Sequence, residues 1–179
     1  MTRSPGSPTL ATADLATPVG RVAVAVSDAG VRAIGWCSAG ELADRAVSDE
    51  RADTVLAQLA EYFRGERREF DVPLDWSGTT ETQRRVLRAL YEQVPYGTSV
   101  TYGELAVLSG TGVPARAIGS IMGSNPIPIV VPCHRVLAHD GLGGYSGGGA
   151  GHGFEVKRWL LTLEGALPPT LDWSPAGLP

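Results

Sequence analysis

The stretch Asn125-Pro126-Ile127-Pro128-Ile129-Val130-Val131-Pro132-Cys133-His134-Arg135-Val136 constrains the fold more than any other part of the chain. Its prolines fix φ, remove backbone donors and push the residues before them towards extended conformations, so no helix can run through it. Ile129, Val130 and Val131 are β-branched and continuous, which predicts a short, fully buried strand that ends by delivering Cys133. A thiol sealed in an apolar core is inert, whereas one beside a histidine and near a helix terminus can ionise and attack. Buried free cysteine is a common core residue. The prolines on both sides favour the reactive reading, because a passive core residue has no need of a pinned backbone.

At 179 residues the chain suits one domain of ordinary size or two small ones. Cys37 and Cys133 supply neither a disulfide framework nor metal-ligand spacing, so a reducing cytoplasm and no bound metal are expected. No apolar run is long enough to span a membrane, and Met1 to Ala13 lacks the apolar core of a signal peptide and reads as a flexible leader. The net charge of −4 excludes a broad basic surface, with 8 Arg against 12 Asp and Glu in residues 1–75 and 7 Lys and Arg against 7 Asp and Glu in 76–179. Any nucleic-acid contact would rest on few phosphates, helix ends and backbone amides, with a shallow salt dependence.

Val22, Val24 and Val26 alternate with Ala23 and Ala25, and Ser27-Asp28-Ala29-Gly30 turns the chain into Val31 to Trp36, a hairpin pattern. Val55, Leu56, Leu59, Tyr62 and Phe63 recur at helical spacing, with Asp53 near the start and Gly65 as a stop. The linker Val72 to Trp76 places a boundary near Ser77, giving an α/β domain over 14–76, a mainly helical domain over 77–165 and a proline-rich tail over 166–179. The fold class expected is α/β of the α+β kind. Thr80 to Gln83 and Thr101 to Glu104 are capping boxes, the first opening a helix that Pro95 ends. Gly110-Thr111-Gly112 then turns into a helix from Pro114 to about Met122, the outline of a helix-turn-helix. Ala115, Ala117, Gly119 and Ser120 leave that second helix nearly bare, with Arg116 its only long cation; tight packing and close approach to a partner are equal readings. A glycine-rich loop carrying Tyr145 and Ser146 matches no phosphate-binding fingerprint. Val156, Trp159, Leu160 and Leu163 mark a last helix, and Glu164 at its end opposes the dipole and by itself reads as solvated.

The run from Asn125 to Val136 resembles the active-site signature of the O6-alkylguanine-DNA alkyltransferases (methylated-DNA-protein-cysteine methyltransferases), and the resemblance extends from about Leu15 to Gly165. It implies DNA repair by direct reversal: single-turnover transfer of an alkyl (methyl) group from O6-alkylguanine in double-stranded DNA to Cys133, after base flipping and with no cofactor. It implies a catalytic set of Cys133, His134, Glu164 and Asn125, in which His134 acts through a bound water, Glu164 orients it and Asn125 braces the hinge. The helix with Ala115, Ala117, Gly119 and Ser120 would enter the minor groove, Arg116 would fill the space of the extruded base, and Tyr102 would press on the adjacent phosphate. Tyr145, Ser146, Val136, Pro128 and Met122 would line the base pocket, with carbonyls of Cys133 and Val136 accepting from the guanine amino group. The chain departs from the pattern at Thr82 and Leu87, where Phe and Trp are frequent, at Gly123-Ser124, where an arginine is often found, and in the long link 149–153. A lesion-binding sensor without transfer and a Cys-His thiol hydrolase remain alternatives, and a monomer is expected.

Overall fold

The computed structural model describes residues 10–43, 46–149 and 151–168. Strands β1 (Leu10–Thr17), β2 (Gly20–Ser27) and β3 (Gly30–Gly35) are antiparallel, and β4 (Ala46–Val47) runs parallel to β1, for an order β3-β2-β1-β4. The expected hairpin is β2-β3. The leader expected over 1–13 is corrected at its end: Leu10 to Ala13 is strand, its alternation hidden by the small, polar composition of Leu10-Ala-Thr-Ala-Asp-Leu-Ala-Thr17. Residues 1–9 and 169–179 lie outside the described residues.

Both residue sets of β2 are buried, Val22, Val24 and Val26 as well as Ala23 and Ala25. Helix α1 (Ala39–Leu42) is short; α2 (Glu50–Phe63), capped by Asp49, packs Val55, Leu59 and Tyr62 into the core beside β1 and β2. The linker then returns along β3. Val31 donates to Pro73 O at 2.8 Å and Asp75 to Val31 O at 2.9 Å. Gly30 makes this possible, since at φ 135° a Cβ there would lie 2.3 Å from the Pro73 carbonyl. Asp75 anchors the join, accepting from Ser27 Oγ at 2.7 Å, Arg32 at 3.2 Å and the Ser77 amide at 2.9 Å.

Helices α3 (Glu81–Gln93), α4 (Tyr102–Ser109) and α5 (Ala115–Gly123) pack on one another, with both capping boxes formed. Gly110 ends α4 at φ 58°, and Pro114 is the N-cap of α5. Two-residue strands β5 (Val100–Thr101) and β6 (Val136–Leu137) pair in parallel, and α6 (Gly153–Leu163) closes the chain.

The strand expected over Ile129–Val131 is corrected: the segment is a closed, buried turn. Val131 donates to Ile127 O at 2.9 Å, Val130 to Pro128 O at 2.9 Å and Cys133 to Val131 O at 2.8 Å. A strand needs extended backbone, whereas Ile129 stands at φ 72° and the Val130 and Val131 amides are spent on carbonyls two and four residues back. Pro132, at φ −82° and ψ 64°, forms an inverse γ-turn that turns Cys133 into a single 3-10 turn, Cys133–Arg135.

Candidate active site

Asn125 organises that turn with both ends of its amide. Its Nδ2 donates to Val131 O at 2.8 Å and its Oδ1 accepts from the Ile127 amide at 3.0 Å. The outer side of the turn is tied to the sheet, where Ile34 of β3 donates to Pro126 O at 2.9 Å. Cys133 is thereby held at 4% exposure. Burial pushes its thiol up to about 11; the Asn125 side chain, the Lys157 charge and local amides offset this only in part.

His134 follows on the same turn and is 0% exposed. Its Nε2 meets Glu164 Oε1 at 2.7 Å, while Nδ1 is buried with no hydrogen-bond partner among the described residues. The carboxylate thus fixes the proton on Nε2 and leaves Nδ1 as a free acceptor. Burial lowers the pKa of His134, against the pull of Glu164, so the ring is neutral at pH 7. Glu164, expected on sequence grounds alone to be solvated, is 5% exposed and sits one step past α6. Arg135 clamps it with Nε to Oε2 at 2.8 Å and Nη2 to Oε1 at 3.0 Å, and also donates to Val94 O at 2.7 Å. Burial raises the Glu164 carboxyl, but its hydrogen bonds and charged partners win and hold it below the carboxylate range. With His134 neutral, the lasting counter-charge is Arg135.

A cavity of about 250 Å³ opens onto Cys133, lined by Tyr102, Gly119, Met122, Gly123, Gly144, Tyr145 and Ser146. Six of the residues singled out from sequence converge here: Cys133, Tyr102, Gly119, Met122, Tyr145 and Ser146. Val136 and Pro128 are buried but do not line it, and the Val136 carbonyl accepts from Lys157 Nζ at 2.6 Å. Tyr102 faces the cavity, and its hydroxyl meets the Gly144 backbone. Tyr145 is held edge-on by Trp36 of the N-terminal sheet, centroids 5.9 Å apart, with its hydroxyl unpartnered. Outside the mouth, Pro114, Arg116, Ala117 and Ser120 line a shallow open depression on α5, and Ala115 is exposed beside them. That face of α5 is bare: nothing lies within 4 Å of where a Gly119 Cβ would stand. A second hollow of similar size, lined by Arg68, Tyr96, Pro132 and Arg135 among others, has no cysteine, serine or histidine in its lining.

Two site residues escaped the sequence reading. Lys157 is 0% exposed, bridges Val136 O and Gly144 O (2.6 and 3.0 Å), and is lowered to about 8 by burial. It is the chain's single lysine beside 14 arginines and lies between Val156 and the apolar stripe of α6, a signal that was available. Tyr62, read as a core residue, donates its hydroxyl to Glu164 Oε1 at 2.7 Å. Among the described residues no group of three or more His, Cys, Asp or Glu could hold a metal ion. No helix among them is long and apolar enough to cross a membrane.

The geometry is that of a buried thiol beside an oriented imidazole, at the floor of a small cavity next to a helix-turn-helix. Residues 12–76 match the 6-O-methylguanine DNA methyltransferase ribonuclease-like domain, and residues 81–166 match the DNA-binding domain of the same family. The chain belongs to that family. A methylated-DNA–protein-cysteine methyltransferase of Mycolicibacterium paratuberculosis is 51% identical over 111 residues, 62% of this chain and 63% of that protein, so the match spans under two thirds of this relative. The one of Methanosarcina acetivorans is 38% identical over 155 residues, 84% of this chain and 95% of its own. The crystal structure of Mycobacterium tuberculosis O6-methylguanine methyltransferase superposes with a TM-score of 0.76 at 35% identity, covering 89% of this chain and 95% of that one. That of M. tuberculosis OGT in complex with DNA gives 0.75 at 36% identity over 87% and 92%.

Proposed function

We propose that this protein repairs DNA by direct reversal, moving the alkyl group of O6-alkylguanine onto Cys133 once per molecule. The observation that carries the proposal is the arrangement of Cys133 at the cavity floor with His134 Nδ1 free and its Nε2 held by Glu164. The Cys133 thiol gives its proton towards His134 Nδ1, directly or through a water, and sulfur attacks the alkyl carbon. The S–C bond forms as the C–O6 bond breaks, the electron pair leaves with the guanine, and the proton passes on to the base. The products are a Cys133 thioether and unmodified guanine. A thioether has no easy hydrolytic exit, so the protein is consumed.

The cavity lies below the usual range of ~300–1,000 Å³ for drug-sized ligands, which suits a single base turned out of its stack. Tyr145 would cover that base and Ser146 lie near its oxygen, with Tyr102 and Met122 at the rim. The bare face of α5 would enter the minor groove of duplex DNA, with Arg116 beside the gap left by the base. This reading keeps 14–76 and 77–165 as separate units and takes the protein to act as a monomer in the cytoplasm, where Cys37 and Cys133 stay reduced.

The test is intact mass and peptide mapping after mixing the protein with duplex DNA carrying one O6-methylguanine. One methyl group on the Cys133 peptide, restored guanine and no second event are expected. Cys133→Ala should still bind the lesion and take up nothing. Lesion binding by wild type without methyl uptake would favour a sensor, and turnover of small esters without interest in DNA would favour a hydrolase.

A further inference from the structure

Glu164 Oε1 is shared by three donors: His134 Nε2 at 2.7 Å, Tyr62 Oη at 2.7 Å and Arg135 Nη2 at 3.0 Å. Two belong to the active-site turn. The third comes from α2, 102 positions away in the chain. Tyr62 is 0% exposed and gripped by the rings of Phe63, Phe70 and Tyr96 at 5.5, 5.5 and 6.2 Å. A buried tyrosine needs an acceptor for its hydroxyl, but any carbonyl would serve. This one takes the oxygen that also orients the imidazole.

We propose that Tyr62 is a positioning residue which, by sharing Glu164 Oε1 with His134, sets the basicity of His134 and keeps its ring neutral and ready to accept the Cys133 proton. The inference rests on the reading of His134 as the base. Donors to one oxygen compete for its electron density, so each weakens the others. The groups acting on His134 make the competition matter. Arg135 on its own turn and Lys157 on α6 both disfavour an imidazolium, and Glu164 at the end of α6 favours it. Cys133 is a protonated, neutral neighbour, and Tyr62, Tyr96 and Tyr145 around the carboxylate are raised and neutral as well. Glu164 is thus the group that favours the charged ring, and Tyr62 attenuates it. The N-terminal unit thereby tunes chemistry performed by the C-terminal one.

Tyr62→Phe removes the hydroxyl and keeps the ring, and Phe63→Leu perturbs the same packing without touching Glu164. The ring protons of His134, assigned by their loss in His134→Gln, are titrated by NMR in wild type and both variants. Tyr62→Phe should raise the His134 pKa by about 0.5 unit or more, the scale expected when one hydrogen bond to a charged acceptor is lost. The acid limb of the single-turnover methyl-transfer rate should move up equally in Tyr62→Phe and stay in place in Phe63→Leu. An unchanged or lowered His134 pKa in Tyr62→Phe, or an equal rise in Phe63→Leu, would overturn the proposal. Absence of methyl transfer by wild type would sink the repair reading instead, and the NMR titration would still decide the role of Tyr62.

Discussion

A thiol pushed up to about 11 is ionised in roughly one molecule in ten thousand at neutral pH, so the proposed transfer to Cys133 needs a base. The fold meets this need with fixed groups rather than a lowered resting pKa. His134 is neutral with Nδ1 free, and Lys157 places a positive charge near the sulfur. Among the described residues the hydrogen-bond partners of Lys157 are the carbonyls of Val136 and Gly144, not carboxylates, which in the proposed reaction leaves its charge to a developing thiolate. At the cavity rim, Gly119 separates stability from function. A Cβ at Gly119 would meet nothing within 4 Å and glycine is a poor helix former, so the unfolding free energy of Gly119→Leu should hold or rise by up to ~1 kcal/mol. The side chain would stand in the cavity mouth, and methyl uptake from duplex DNA should fall at least tenfold. Retained uptake would remove this face of α5 from the substrate path.

At the scale of elements, the turn from Asn125 to Pro132 is the part under tension. Ile129 adopts φ 72°, a left-handed value that costs a β-branched residue on the order of 1–3 kcal/mol. Its surroundings hold it there: residues 127–136 are all buried, and Asn125 clamps both ends of the turn. Asn125→Ala would strand the Ile127 amide, leave the Val131 carbonyl with the Cys133 amide alone, and remove a side chain that lowers the Cys133 pKa. Urea denaturation should show a loss of about 2–4 kcal/mol, and the transfer rate should drop more than stability alone explains. Rate and stability falling together, with full transfer by the folded fraction, would show that Asn125 only braces the turn. Helix α6 is the counterpart on the other side. Its buried face, Val156, Lys157, Leu160 and Leu161, continues to Glu164, so one amphipathic period places both the cation and the carboxylate.

Across the whole molecule, the buried ionisable groups make acid the weak side. His134 is lowered in the folded state from an ordinary 6.5, so below that value the unfolded chain takes a proton that the folded one refuses. Glu164 is also lowered from its ordinary 4.5, so its contribution is present above 4.5 and is lost as pH falls towards its folded value. Both act in the same direction, because the unfolded state binds more protons throughout. Stability measured by urea should therefore decline from about pH 6.5 downward and steepen below 4.5, and His134→Gln should flatten the upper part of that decline. A midpoint constant between pH 7 and 5 would show that His134 keeps its ordinary pKa. The N-terminal unit takes part in this balance: Trp36 seats Tyr145, Ile34 ties the turn and Tyr62 of α2 reaches the carboxylate.

Much of this was legible in the chain itself, because periodicity and local chemistry act over short spans. The β2-β3 hairpin, both capping boxes, the glycine turn before α5 and the stripe of α6 follow from spacing alone, and Pro-Cys-His between fixed residues singled out the proposed nucleophile. The resemblance located Glu164, which spacing alone left on the surface. Only the tertiary structure decided that Ile129 to Val131 is a turn rather than a strand, because long-range burial stabilises a φ at Ile129 that a β-branched residue otherwise avoids. Only packing could turn Lys157 and Tyr62 from a charged and a core residue into parts of the site. Their roles depend on which carbonyl or carboxylate meets them from elsewhere in the chain, and no local pattern encodes a partner 102 positions away.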